Sequence, residues 1–268
     1  MLNCYTPTKI FQSNKINSSN FLKSDPPNVL ESDSSNGLKG DPSNGLRADQ
    51  RKPNELRRIY LESNVINQAS GSAYVELSNT KVICAVYGPQ AINSDRTFSK
   101  EGQLRCDVKL SPFASSIRPE QRGQSEEELE LSLMLHQALV SSIRLEMLTK
   151  STVEVYVSVL ADDGGVLGAA ISCASLALAD ASIELYDLIS GCTVGYCNGK
   201  LNFDPTIKEE NDANGLMTMS AMASTKEVTQ IIQHGPMSGQ MISESMELCM
   251  EGCLNMANLM RQSLINGN

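Results

Sequence analysis

Residues 152–181 read TVEVYVSVLADDGGVLGAAISCASLALADA. The first nine residues alternate between apolar and other side chains, which is typical of a strand with one buried face. The last fourteen are mostly small helix-forming residues, and Gly164 and Gly165 lie between the two patterns. A strand, a double glycine and a helix often bind phosphate, because the N–H groups at the helix start point at the anion. Here, however, Val166 and Leu167 follow the glycines, and neither side chain donates a hydrogen bond or carries a charge.

The segments around this stretch change between strand and helix periodicity without strict alternation. Residues 72–78 and 81–88 alternate as two strands, and Asn79–Thr80 is typical of a tight hairpin turn. A helix is predicted to begin at Ser125, because Ser125 and Glu128 form a capping-box pattern. This order predicts an α+β fold of mixed sheets with packed helices. The other predicted elements are strands over 103–113, 191–196, 200–205, 215–222 and 227–233, a helical stripe through Leu131, Leu135, Leu139 and Ile143, and a last helix over roughly Gly239–Ser263.

The first 50 residues differ in composition from the remainder. Four octapeptides follow one another from Ser19 to Gln50: SNFLKSDP, PNVLESDS, SNGLKGDP and SNGLRADQ. Each copy has one Leu, and one Leu in eight residues is too little to build a core. We therefore predict a disordered low-complexity tail over residues 1–50, dispensable for folding and assembly, and a folded domain over 51–268. A docking peptide is the alternative interpretation of the repeats.

The charge balance limits the function of the chain. The formal net charge is −9, and residues 1–50 carry five basic and five acidic side chains, so the acidic surplus belongs to the remainder. A free-standing RNA-binding module is therefore disfavoured, because such a protein should carry a basic surplus. The first residues contain no apolar stretch typical of a secretory signal, so we expect the eight cysteines to be thiols. Cys249 and Cys253 lie one helical turn apart in an apolar stripe, which favours core packing over a metal site.

Common catalytic motifs are missing from the sequence. It contains no GxxxxGK[ST] loop and no HExxH motif. The two histidines have no evident nucleophile or orienting partner beside them. We therefore interpret His136 as an ordinary helix residue and His234 as a surface residue in a polar turn.

Four stretches of the sequence resemble the RNase PH family. The resemblance covers nearly all of residues 55–264 and implies the RNase PH-like fold. Within the family, residues 203–216 and 250–264 resemble one ring subunit of the eukaryotic RNA exosome more than its paralogues. The four stretches are AxGSAYVELxxTKVxxAVYGP at 69–89, RGQSEEELELSLMLHQAL at 122–139, the segment 153–189 that includes the glycine pair, and FDPTIKEENDANGLMTMS at 203–220.

The resemblance also implies which positions matter for chemistry. Active members of the family use phosphate to cleave RNA from its 3′ end, and they hold that phosphate with a Gly-Thr-Arg sequence and a second arginine. They also carry two acidic residues six positions apart. The matching positions here are Gly165, Val166 and Leu167 for the triplet, Glu127 for the second arginine, and Glu210 and Leu216 for the acids.

These replacements imply a chain without catalytic residues, cofactor or metal. The implied function is that of a non-catalytic structural subunit of the exosome core ring, which supports 3′–5′ RNA processing, rRNA maturation and RNA turnover by partner nucleases. An active phosphate-dependent 3′–5′ exoribonuclease is the alternative. The implied partners are other RNase PH-type subunits in a hetero-hexameric ring, S1/KH-type cap proteins and RNA threaded through the central pore, with no membrane, in the nucleus, nucleolus and cytoplasm. Candidate RNA contacts, with solvated loop charge as the alternative, are Arg96, Lys100, Arg118 and Arg122.

Overall fold

The computed structural model of the chain describes most residues after position 50. Of the predicted tail only Arg47 and Asp49 are described, so the division at residue 50 stays a prediction. No helix within the described ranges is long and apolar enough to cross a membrane. Those ranges are residues 47, 49, 51–53, 55–91, 102–114, 125–197 and 199–266.

Nine strands and four helices alternate irregularly in these ranges, which confirms the predicted α+β class. The short elements β1 and α3 are not predicted from the sequence, because five or six residues show no clear period. The strands are β1 (Ile59–Ser63), β2 (Gly71–Leu77), β3 (Thr80–Ala91), β4 (Gln103–Leu110), β5 (Ser151–Ala161), β6 (Ile189–Cys197), β7 (Lys200–Phe203), β8 (Gly215–Met222) and β9 (Glu227–His234). The helices are α1 (Glu126–Val140), α2 (Val166–Asp180), α3 (Ile207–Asp212) and α4 (Gly239–Asn266).

The first sheet has the strand order β1-β2-β3-β5-β4. Its pairs are antiparallel except that β4 runs parallel to β5. Helix α2 packs against β2, β3 and β6, and twelve of its fifteen residues are buried. Small residues allow this close approach: a Cβ atom added to Gly191 of β6 would lie 2.7 Å from the Cα of Gly168.

The hairpin between β2 and β3 turns one residue earlier than predicted. Leu77 and Thr80 are paired across the strands, so the two-residue turn is Ser78–Asn79, and Thr80 begins β3. Ser78 adopts a φ of 56°, the positive value that such tight turns require. Thr80 therefore lies in the strand, and its hydroxyl contacts the glycine loop at the Gly164 carbonyl.

Helix α1 begins as its capping box predicts. The Ser125 hydroxyl accepts the Glu128 N–H at 3.2 Å, and the Glu128 carboxylate accepts the Ser125 N–H at 2.9 Å. The predicted apolar stripe is wrong at its end, because the helix stops at Val140 and Ile143 instead bridges to Leu185. Hydroxyl groups explain this end: the side chains of Ser141 and Ser142 donate to the carbonyls of Ala138 and Leu139, and so compete with further helical bonds.

The second sheet has the order β7-β6-β8-β9 with antiparallel pairs throughout, and α4 packs against β6 and β8. Cys249 and Cys253 of α4 are fully buried in this core, which confirms their predicted packing role. Burial raises the pKa of Cys253 to about 12. Seven cysteines lie in the described part of the chain, and all seven are free thiols.

Candidate functional site

The positions that the resemblance singles out meet in one cleft of about 330 Å³. Glu127 reaches it from α1, Val166 and Leu167 from the first turn of α2, Glu210 from α3 and Leu216 from β8. These residues are up to 89 positions apart in the sequence. The fold nevertheless brings them together, as expected if they match the positions assigned from the family resemblance. The whole lining is Leu110, Glu127, Glu130, Leu131, Met134, Asp162, Gly165, Val166, Leu167, Thr193, Glu210, Leu216, Thr218, Ile232 and His234.

The glycine pair is required by the turn between β5 and α2. Gly164 and Gly165 have φ values of 86° and 66°, a region that residues with a Cβ atom rarely adopt. A Cβ atom on Gly164 would also lie 2.8 Å from the backbone nitrogen of Ile207. The Asp162 carboxylate accepts the Gly164 N–H at 2.9 Å and closes the turn. These constraints come from the fold alone, so the glycines do not by themselves indicate phosphate binding.

A buried ion pair between Arg57 and Asp204 holds the glycine loop in place. Arg57 is 4% exposed, and its guanidinium donates to both carboxylate oxygens of Asp204, at 2.8 and 2.5 Å. The same group donates to the carbonyl oxygens of Asp163 at 2.8 Å and Gly164 at 3.0 Å. Burial acts to lower the pKa of Arg57, but the hydrogen bonds and charge of Asp204 raise it overall. Arg57 therefore stays charged and fixes the loop's carbonyl groups.

The N–H groups of the loop find their acceptors within the chain. The Thr80 hydroxyl accepts the Asp163 N–H at 3.1 Å and donates to the Gly164 carbonyl at 2.9 Å. The Gly165 N–H donates to Oε1 of Glu210 at 2.8 Å. Together with the bond from Gly164 to Asp162, all three loop N–H groups have internal partners. These donors are therefore not free to hold a phosphate.

Burial changes the protonation of the carboxylate that faces the loop. It raises the pKa of Glu210 to about 7; the Gly165 N–H opposes this shift, and the nearby charge of Asp162 adds to it. Glu210 therefore titrates near neutral pH, while its hydrogen bond to Gly165 is retained best by the ionised form.

The side chains that line the cleft are mainly acidic or apolar. Four acidic side chains line it, and among its described lining residues there is no Lys or Arg. The triplet Glu126–Glu128 is favourable at the N-terminus of α1, because the helix dipole attracts negative charge there. An incoming phosphate, however, is repelled by Glu127 and by the other acidic side chains that line the cleft. The acidic residues are Glu127, Glu130, Asp162 and Glu210.

The remaining predicted site residues fall in different places. His136 lies within α1, as predicted, whereas His234 ends strand β9 instead of lying in a turn, and its exposed side chain borders the cleft. Within the described ranges no three His, Cys, Asp or Glu side chains lie together so that they could hold a metal ion. The four candidate RNA contacts, Arg96, Lys100, Arg118 and Arg122, lie outside the described residues.

Comparisons with known proteins agree with this architecture. A family model described as "3′ exoribonuclease family, domain 1" matches residues 55–184, and the model for domain 2 of that family matches residues 187–252. The chain is 39% identical over 216 residues to "Exosome complex component RRP41-like" of Arabidopsis thaliana, covering 81% of this chain and 83% of that protein. It is 36% identical over 231 residues to "Exosome complex component MTR3" of Homo sapiens, covering 80% and 85%.

A solved structure extends the agreement to three dimensions. The crystal structure of rice (Oryza sativa) Rrp46 superposes with a TM-score of 0.71 at 26% sequence identity, over 81% of this chain and 100% of that chain. The subunit that residues 203–216 and 250–264 resemble is the MTR3 type, which is thus represented among the relatives. The RRP41-like and MTR3 relatives have similar identities, so assignment between the two types depends on the cleft residues.

Proposed function

This chain belongs to the RNase PH family of 3′ exoribonuclease domains, and we propose that it is a non-catalytic structural subunit of the RNA exosome core ring. In that role it supports 3′–5′ RNA processing and degradation, including rRNA maturation, by partner nucleases. The similarity to exosome components over about four-fifths of the chain supports the ring assignment. The residues that line the cleft support the absence of catalytic activity.

The observation that carries this proposal is the lack of Lys and Arg among the described residues that line the cleft. Val166 and Leu167 occupy the positions of a family threonine and arginine, and Glu127 that of the second arginine. A hydrogen bond to a charged group contributes about 1.5–3 kcal/mol, or roughly ten- to a hundredfold in affinity for each bond. The loss of several such bonds, with carboxylates in their place, leaves too little affinity to hold phosphate for an attack on RNA.

An active phosphate-dependent 3′–5′ exoribonuclease is the second candidate. Two observations favour it: the 39% identity to an RRP41-like protein, and the pKa of about 7 for Glu210, which suits a general acid or base at neutral pH. Two others oppose it. Leu216 stands where a second acid is needed, and the Glu210 carboxylate already accepts the Gly165 N–H. We therefore favour the non-catalytic function.

The surface of α1 supports assembly with a neighbouring subunit. Leu129 and Leu133 are 54% and 58% exposed on this helix, and both border an open cleft beside the outer strand β4. Adjacent exposed apolar side chains of this size favour burial against another protein. Other RNase PH-type subunits are the proposed neighbours.

Several further assignments are part of the same proposal and depend on the family resemblance. They comprise the S1/KH-type cap proteins, RNA in the central pore, and location in the nucleus, nucleolus and cytoplasm. The proposed RNA contacts at the pore are Arg96, Lys100, Arg118 and Arg122, because a chain with a net charge of −9 needs local basic residues to approach phosphates.

Mass spectrometry of the native complex purified through a tagged full-length chain tests this proposal. The expected result is one copy of this chain together with other RNase PH-type subunits and cap proteins. A Leu133→Glu variant should be recovered with fewer of these partners, because the exposed apolar face of α1 is disrupted. Recovery of the tagged chain alone, or as a ring made only of its own copies, would contradict the proposed role.

A further inference from the structure

Arg47 of the fourth octapeptide binds to the C-terminal half of the fold. Its side chain is 3% exposed. Nε donates to Oε1 of Glu209 at 2.7 Å, and Nη2 donates to the second oxygen of the same carboxylate. Nη1 donates to the carbonyl of Phe203, and Nη2 also donates to that of Asp204 at 3.0 Å. One side chain from the repeats therefore makes four hydrogen bonds with residues 156–162 positions away.

The acceptors around Arg47 have the arrangement that a guanidinium group requires. Two carbonyl oxygens at the end of β7 and the carboxylate of Glu209 in α3 accept from the planar donor fork. Burial acts to raise the pKa of Glu209, but the hydrogen bond from Arg47 helps to lower it overall, so the carboxylate stays ionised. Arg51 also donates to the Asp204 carbonyl, at 3.3 Å, so two arginines of this segment bind the same oxygen.

The four octapeptide copies differ at the position that supplies this contact. The fifth residue is Lys23 in the first copy, Glu31 in the second, Lys39 in the third and Arg47 in the fourth. A lysine offers one compact ammonium group and cannot form the two parallel bonds to a carboxylate, and a glutamate is repelled by Glu209. The copies are therefore not equivalent for this contact, although they share Asn at the second position and Leu at the fourth.

We propose that Phe203, Asp204 and Glu209 form a guanidinium-binding site whose resident ligand is Arg47, and that this ligand positions α3 for the contact between Glu210 and Gly165. Glu209 connects Arg47 with α3, because Oε2, one of its two oxygens that accept from Arg47, also accepts the Thr206 N–H at 2.9 Å and so caps α3. If Arg47 has this role, not all of residues 1–50 are dispensable for folding. We expect loss of residues 1–42 to leave folding unchanged, whereas loss of Arg47 should destabilise α3.

Hydrogen exchange on the full-length chain tests the positioning role. In an Arg47→Ala variant the amides of residues 207–212 and of Gly165 should exchange roughly tenfold faster or more, because several charge-assisted hydrogen bonds are lost. Arg47→Lys should give an intermediate rate and keeps the measurement available if the alanine variant folds poorly. Arg58→Ala is the matched control, because Arg58 is an exposed arginine in the same stretch of chain, and it should leave these rates unchanged.

Synthetic octapeptides added in trans test the binding site itself. At millimolar concentration, SNGLRADQ should slow exchange of residues 207–212 in the Arg47→Ala variant but not in the wild-type chain, where Arg47 occupies the site. The natural second copy, PNVLESDS, should have no effect, and SNGLKGDP should have a weaker one. Unchanged α3 exchange in Arg47→Ala would overturn the proposal. So would failure of SNGLRADQ to slow exchange in that variant, or an equal effect of PNVLESDS.

Discussion

The backbone N–H of Gly165 donates a 2.8 Å hydrogen bond to Oε1 of Glu210. This N–H lies at the start of α2, where a helix attracts an anion. The chain itself supplies the acceptor, a carboxyl group on a helix 45 residues further on. The Gly165 N–H is therefore bonded within the chain, and Val166 and Leu167 add no side-chain donor for a phosphate.

The raised pKa of Glu210 predicts a pH-dependent stability. A carboxyl group with a pKa of about 7 in the folded chain and an ordinary value of 4.5 in the unfolded chain stabilises the fold fully below about pH 4.5. That contribution is lost as the pH rises from 4.5 to 7. A Glu210→Gln variant cannot ionise, so its melting temperature relative to wild type should be higher at pH 8 than at pH 5. Thermal melts across this range check the prediction; a difference that is constant with pH would contradict it.

The Arg57–Asp204 pair predicts a large effect on stability. Arg57→Ala leaves the Asp204 carboxylate buried without its partner and removes two donors from the loop carbonyls. Loss of one member of a buried pair costs about 3–5 kcal/mol of unfolding free energy. Urea denaturation measures this loss, and the exposed Arg58→Ala control should stay within about 0.5 kcal/mol of wild type.

A double variant separates the ion pair from the loop contacts. Arg57→Ala combined with Asp204→Ala removes the unpaired charge, so its cost should be smaller than the sum of the two single changes. A cost for Arg57→Ala below about 1 kcal/mol would show that the pair does not support the loop.

Local signals in the sequence predicted the local structure well. The capping box of Ser125 and Glu128 gave the start of α1, and the glycine pair gave the turn before α2, because each signal depends on residues a few positions apart. The same reasoning could have found α3, since Thr206 and Glu209 form a second capping box, but a helix of six residues shows no apolar period.

The sequence patterns could not predict contacts between residues that are far apart in the chain. Arg57 and Asp204 are 147 positions apart, and no periodicity connects a loop arginine with an aspartate after a strand. The bond between Glu210 and Gly165 likewise depends on how the two sheets bring α3 to the start of α2. The family resemblance indicated Glu127, Glu210 and Leu216, and the fold brings all three to the cleft.

Restoring the family side chains should restore phosphate binding. The variant combines Glu127→Arg, Val166→Thr, Leu167→Arg, Glu210→Asp and Leu216→Asp, so that the cleft gains two arginines, a hydroxyl and a second acid. Isothermal titration calorimetry should detect phosphate binding to this variant and none to the wild-type chain. Because Leu167 is only 9% exposed and packs in the apolar core, its replacement by Arg should destabilise the fold, so a melting curve must accompany the titration.

A partial variant is the control for this experiment. Val166→Thr with Leu167→Arg alone should restore little binding, because Glu127 still repels the phosphate from the α1 side of the cleft. A fully substituted variant that folds, joins the ring and still ignores phosphate would show that the assigned positions are wrong or that the cleft is closed.

A phosphorolysis assay on the purified full-length chain tests whether the protein is catalytically inert. RNA with a defined 3′ end is incubated with the protein and inorganic phosphate, and release of nucleoside diphosphates is measured. The reverse reaction, extension of RNA with nucleoside diphosphates, is measured in parallel. We expect neither activity above that of a protein-free reaction. Phosphate-dependent release of nucleoside diphosphates that disappears in a Glu210→Ala variant would contradict this expectation.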